Sequence, residues 1–126
     1  MKYWKTLPWF LLVATTAPAA GPDTNFVING FGQDQCGQYV EAYQLGSSGY
    51  APYISYLQGH ASGLSQQTAL RTGRTIDYMH GASIPSAALW LDNWCRQHPL
   101  QTFGEAAVRF LEETSGEKIW ARPQRP

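Results

Sequence analysis

The residues able to do chemistry in this sequence are few and widely spaced. Cys36 and Cys95 are the two cysteines, 59 residues apart, so they make no C-x-x-C redox pair. Serines are plentiful and there are three histidines, but no G-x-S-x-G elbow holds a serine up for nucleophilic attack. Asp77 and His80 stand three apart, and His60 could join them in space. That grouping is looser than zinc sites show, and solvated polar residues are the expected reading, with no metal. Glu112 and Glu113 are adjacent on the polar side of an expected helix, where a solvated face is favoured over a glycosidase pair. No catalytic residue is assigned, and no cofactor.

Two histidines carry a different chemistry. His60 and His98 fall at the apolar borders of their expected helices. An imidazole held neutral there resists protonation, so acid would charge it at a cost to the fold. Both are therefore candidate pH-sensing residues, although ordinary boundary histidines have the same pattern. In strong acid the carboxylates also lose their charge and the chain becomes strongly cationic, which favours opening.

The chain that positions these groups has 126 residues, 44% of them apolar, with nine basic and nine acidic side chains. That is enough for one domain with one modest core. It excludes a chain disordered throughout, and the even charge balance argues against a nucleic-acid partner. Residues 1–19 have the form of a secretory signal. Lys2 and Lys5 precede a short apolar run from Trp9 to Ala14, and Ala17 and Ala19 fit the cleavage pattern. The run is far shorter than a membrane span of about 20 residues. The expectation is a periplasmic or secreted protein without a stable membrane anchor after cleavage. In that compartment an even pair of cysteines favours a disulfide between Cys36 and Cys95.

Residues 20–33 are expected to be a flexible lead-in and residues 117–126 a loose tail, with one helical domain at 34–116. Four helical patterns fill it. The first runs from about Asp34, as cap, to Leu45, with Cys36, Tyr39, Val40 and Tyr43 on one face, and Gly46 to Gly49 stops it. The second runs from about Ala51, with Pro52 in its first turn, to Leu64 or Leu70. Ile54, Leu57, Ala61 and Leu64 form its stripe, and Ser55, Gly59 and Gly63 leave a smooth second face. Residues 71–83 are a long connection that Ile76, Tyr78 and Met79 could fold back onto the core. In the third helix Ser83 or Ile84 precedes Pro85, which fits an early helical position, and Pro99 ends it. Ile84, Ala87, Ala88, Trp90, Leu91, Trp94, Cys95 and His98 fill its apolar half, and Ser86, Asp92, Asn93, Arg96 and Gln97 its polar half. The fourth opens on Thr102 and Glu105, the spacing of a capping box, and stops at Gly116.

Both cysteines fall on apolar faces, so a bridge would tie the first helix to the third through the core. The fold class is therefore all-α, a compact bundle of four short helices stapled by one disulfide. Leu89 stands out of pattern among polar residues. With Trp90 at the edge of the wheel and Trp120 in the tail, it is a candidate partner-binding residue, since exposed apolar and tryptophan side chains anchor interfaces.

Two stretches, Tyr53-Ile54-Ser55-Tyr56-Leu57-Gln58-Gly59-His60-Ala61 and Ala88 to Leu100 running on into Phe103 and Ala107, resemble a loose group of small exported bacterial helical proteins. The group includes the HdeA-type acid-stress chaperones and the periplasmic immunity proteins of type VI secretion amidase effectors. Compared with this chain, HdeA-type proteins look shorter between their cysteines and richer in lysine, and the immunity proteins place their cysteines differently. The resemblance implies a non-catalytic protein whose partner is another protein. That partner is a client of an HdeA-like chaperone or, alternatively, a cognate secreted amidase or hydrolase that an immunity protein blocks. A small hydrolase is the remaining alternative. Nothing in the sequence sets the oligomeric state.

Overall fold

The computed structural model describes residues 27–119. Four helices follow one another: α1 Cys36–Gln44, α2 Ser47–Thr72, α3 Ile84–Gln97 and α4 Phe103–Ser115. The expected signal segment 1–19 and the tail residues from 120 onward lie outside the described residues.

The chain enters α1 through a short tie to α4. The Cys36 amide donates to the Gln101 carbonyl and the Phe103 amide to the Asp34 carbonyl, each at 2.8 Å, across an antiparallel bridge between Gln35 and Thr102. Asp34 is not the helix cap expected of it. Gln35 takes that place, with its amide donating to the Gln38 side chain at 2.8 Å. The Asp34 carboxylate accepts instead from the Tyr53 hydroxyl of α2 at 2.7 Å. Tyr53 is buried, and its hydroxyl needs a partner there.

The turn from α1 to α2 is tighter than its four small residues suggest. Gly46 has φ 80°, a left-handed conformation open to glycine, and turns the chain at once. The run Ser47 to Gly49 is then the first turn of α2 rather than a loop. A Cβ at Gly49 would collide with the carbonyl oxygen of Ala42, so only glycine lets the two helices meet this closely. The helix therefore begins four residues earlier than expected. Pro52 sits in its second turn, not its first, and the helix runs 26 residues to a left-handed Gly73 cap. Its smooth face, Ser55, Gly59 and Gly63, is exposed to solvent.

The connection from Gly73 to Ser83 folds back as expected. Tyr78 is buried in the core and shares a 2.7 Å hydrogen bond with Thr68. Asp77 turns the chain here: its carboxylate accepts from the amides of Met79 and Gly81 at 3.0 and 3.1 Å. Both its oxygens are occupied by backbone, not directed to His80.

Helix α3 starts and ends where its signals place it. Ser83 caps it by accepting from the Ser86 amide, with Pro85 in the first turn. Asp92 departs from its expected polar face and is only 4% exposed. Arg96 reaches back one turn from the outside and donates to it at 2.8 Å. Helix α4 opens on the reciprocal Thr102–Glu105 capping box and closes at Gly116, φ 71°.

Cys36 and Cys95 form the disulfide, fully buried, with their Cα atoms 4.8 Å apart, and it joins α1 to α3 as expected. Around it pack Tyr39, Leu57, Leu91, Phe103 and Leu111, all with no exposed surface. Tyr39, Tyr53 and Phe103 meet with ring centroids 4.8–5.1 Å apart, in tilted and edge-on arrangements that aromatic quadrupoles favour. The Tyr39 hydroxyl donates to the Ala88 carbonyl of α3 at 2.9 Å, and burial pushes its pKa well above the ordinary tyrosine value.

Of the expected lead-in, residues 27–33 are described. They include a single 3-10 turn, Gly30–Gln33, in which Gly32 is buried. Gly104 of α4 admits this segment: a Cβ there would lie 3.0 Å from the Gly32 carbonyl oxygen. Of the expected loose tail, residues 117–119 are tied down. Glu117 pairs with Arg74 at 3.0 Å, and the Ile119 amide donates to Glu112 at 3.1 Å. Glu112 is accordingly half-buried rather than on the outer face with Glu113, which is exposed.

Candidate functional site: the aromatic rim of α3

The strongly amphipathic pattern of α3 buries Ala87, Ala88, Leu91 and Cys95 and fixes what remains at the edges. Trp90, Trp94 and His98 recur every four residues, so they form one row along the helix flank, all half-buried. Trp90 meets Phe110 of α4 edge-on, with centroids 5.4 Å apart. The Trp94 and His98 rings stack at 4.0 Å, and His98 Nδ1 lies 2.9 Å from the Trp94 carbonyl oxygen. A carbonyl only accepts, so Nδ1 carries the proton. Leu89, 50% exposed, projects about 100° round the helix from Trp90, on the side of Asn93 and Arg96 rather than in this row. Leu100, 83% exposed, follows the end of the helix.

Of the residues expected to bind a partner, Leu89 and Trp90 are neighbours in the chain but point to different sides of α3, Leu89 outward and Trp90 against Phe110 of α4. Trp120 lies outside the described residues. The sequence reading assigned Trp94 to the interior and missed it here. Its four-residue spacing from Trp90 and His98 was the available signal, since a flank row is half-buried by construction. Disulfide, N-cap and core contacts fix α3 in place, so the rim is presented by a rigid element.

The two candidate pH-sensing histidines are not brought together. His98 belongs to the rim. His60 lies on α2, its ring stacked on Tyr56 with centroids 6.0 Å apart. It lines a partly open cavity of about 270 Å³ together with Val27, Ile28, Gly104 and Val108. Among the described residues, His60 Nε2 is buried and has no hydrogen-bond partner. Burial pushes the His60 pKa below its ordinary value, because desolvation disfavours the charged imidazolium. Burial likewise raises the pKa of the neighbouring Tyr56. His60 and Arg71 are the only residues of α2 with basic side chains, and α2 has no acid.

A broader open recess of about 600 Å³ lies between α2 and the connection, with Ser62, Ser65 and Gln66 on one side and Ile76 and Met79 on the other. Among the described residues, no three of His, Cys, Asp and Glu converge as metal ligands would.

The fold and the rim together define a class: a small all-α domain, tied through its core by one disulfide, with an aromatic edge turned outward. No protein-family model, curated protein or solved structure matches the chain.

Proposed function

We propose that this is a non-catalytic, exported protein that works by binding another protein through the α3 rim, as an HdeA-like stress chaperone or client binder in the periplasm. The observation that carries the reading is that α3, held in place by the disulfide, leaves Leu89 half exposed on its outer face and Trp90 and Trp94 half-buried along one flank. Tryptophan side chains on a rigid element are enriched among interface anchors, and an exposed leucine on the same helix adds apolar surface. The acid-responsive part of the proposal rests on His60, whose buried Nε2 gains a proton only at the expense of the fold.

Circular dichroism and binding of a hydrophobic dye, compared at neutral pH and near pH 3, test it together with a client-aggregation assay. The expected result is dye binding and suppressed aggregation at low pH, both weakened by Leu89→Ser. A compact fold near pH 3 that protects no client would overturn the chaperone reading.

A second reading, an immunity protein that blocks a cognate secreted amidase or hydrolase, is supported by the same rim. The Trp90–Phe110 and Trp94–His98 contacts are formed in the folded state, so such a surface needs no opening to bind. An adjacent gene for a secreted hydrolase, and inhibition of that hydrolase by this protein but not by its Leu89→Ser variant, is the outcome this reading requires.

A further inference from the structure

At the far end of α2 the charge is unevenly placed. Arg71, Arg74 and Lys118 rim a cleft whose walls include the apolar side chains of Leu64, Ile76 and Ile119. Arg74 pairs with Glu117 at 3.0 Å, which neutralises the one carboxylate lining the cleft. No ion pair or side-chain hydrogen bond among the described residues reaches Arg71 or Lys118, and both are exposed. Two uncompensated cations therefore share a largely polar cleft with these three apolar side chains. Leu70 beside them is 81% exposed, so the helix end presents apolar surface as well as charge.

We infer that this cleft is a docking site for an acidic segment of a partner protein, with carboxylates facing Arg71 and Lys118 and one apolar side chain seated on Leu64, Ile76 and Ile119. Its volume, about 230 Å³, fits such a side chain. It is smaller than the roughly 300–1,000 Å³ typical of small-molecule sites. Charge complementarity selects the sign of the partner: a basic segment would meet two like charges, whereas an acidic one meets its opposite. The recess favours a peptide over a lipid surface, because a flat array of headgroups does not reach Leu64, Ile76 and Ile119 or the polar groups set back among them. The inference rests on the reading that the protein works by binding another protein, and it places a second contact away from the α3 rim.

The test uses the whole protein, isotope-labelled for NMR, and titrates it with the peptide acetyl-Asp-Glu-Leu-Asp-Glu-Phe-amide. The expected result is saturable shifts centred on Leu64, Ile76, Lys118 and Ile119. Replacing the four acids of the peptide by their amides weakens binding, as does raising the salt concentration. The double charge reversal Arg71→Glu with Lys118→Glu weakens it by roughly tenfold, the order expected for two partly screened pairs turned repulsive. Both residues are exposed, and unchanged circular dichroism of the variant shows that the fold is kept. Shifts centred elsewhere, or affinity unchanged by the double reversal, overturn the inference. So does binding to phosphatidylglycerol vesicles that needs Arg71 and Lys118 while the peptide leaves Leu64 and Ile76 unmoved. If the peptide misses the cleft but the protein still protects clients through Leu89, this inference falls and the protein-binding reading stands.

Discussion

Two side chains show how differently a polar group can be treated inside a small core. The Tyr53 hydroxyl is satisfied by a carboxylate, Asp34, which also lies at the tie between α1 and α4. Tyr53→Phe deletes that bond while keeping the ring against Phe103. Stability should fall by about 1.5–3 kcal/mol, the range for a hydrogen bond to a charged acceptor, read from the urea midpoint. His60 is the opposite case: its Nε2 is buried and, among the described residues, unpartnered. A histidine whose folded pKa is lowered adds stability that is complete above its ordinary value of 6.5 and is lost as pH falls through that value toward the folded pKa. Wild type should therefore lose more stability between pH 8 and pH 5 than His60→Phe does. Equal losses in urea titrations at the two pH values would remove His60 as a pH sensor.

The helices differ in how plainly their limits were written. α3 and α4 carry their own punctuation: Ser83 with Pro85, Thr102 with Glu105, then Pro99 and Gly116 as stops. Local bonds that close within three residues are legible in a sequence because no distant partner is needed. Thr102→Ala should accordingly cost about 1 kcal/mol by removing the acceptor for the Glu105 amide, measured by thermal or urea unfolding. The start of α2 was not legible. Small residues from Gly46 to Gly49 resemble a loop, but Gly49 is small because Ala42 of the preceding helix presses on it, a contact between elements. Asp34 and Asp92 were misplaced for the same kind of reason. Each looks like a surface or cap residue until Tyr53 or Arg96 is brought to it. α3 shows the same division, since Leu89 breaks a local pattern and is visible, whereas the exposed flank of Trp90 depends on Phe110 of α4.

At the scale of the molecule, the disulfide is the feature on which the others converge. Cys36–Cys95 closes a loop over a sequence separation of 59 and lies wholly inside the core. In the chain-entropy model that closure contributes roughly 4 kcal/mol, a large share of the stability of a domain this size. The Cys36→Ala, Cys95→Ala double variant should show a lower urea midpoint by a corresponding amount, and reductant should act on wild type only as fast as the core opens. The loop so closed contains all of α2 and the connection after it. A protease that cleaved once between Gly73 and Ala82 would therefore release nothing. The two fragments would migrate as one band on a denaturing gel without thiol and separate only after reduction, so an apparently intact preparation could already be nicked.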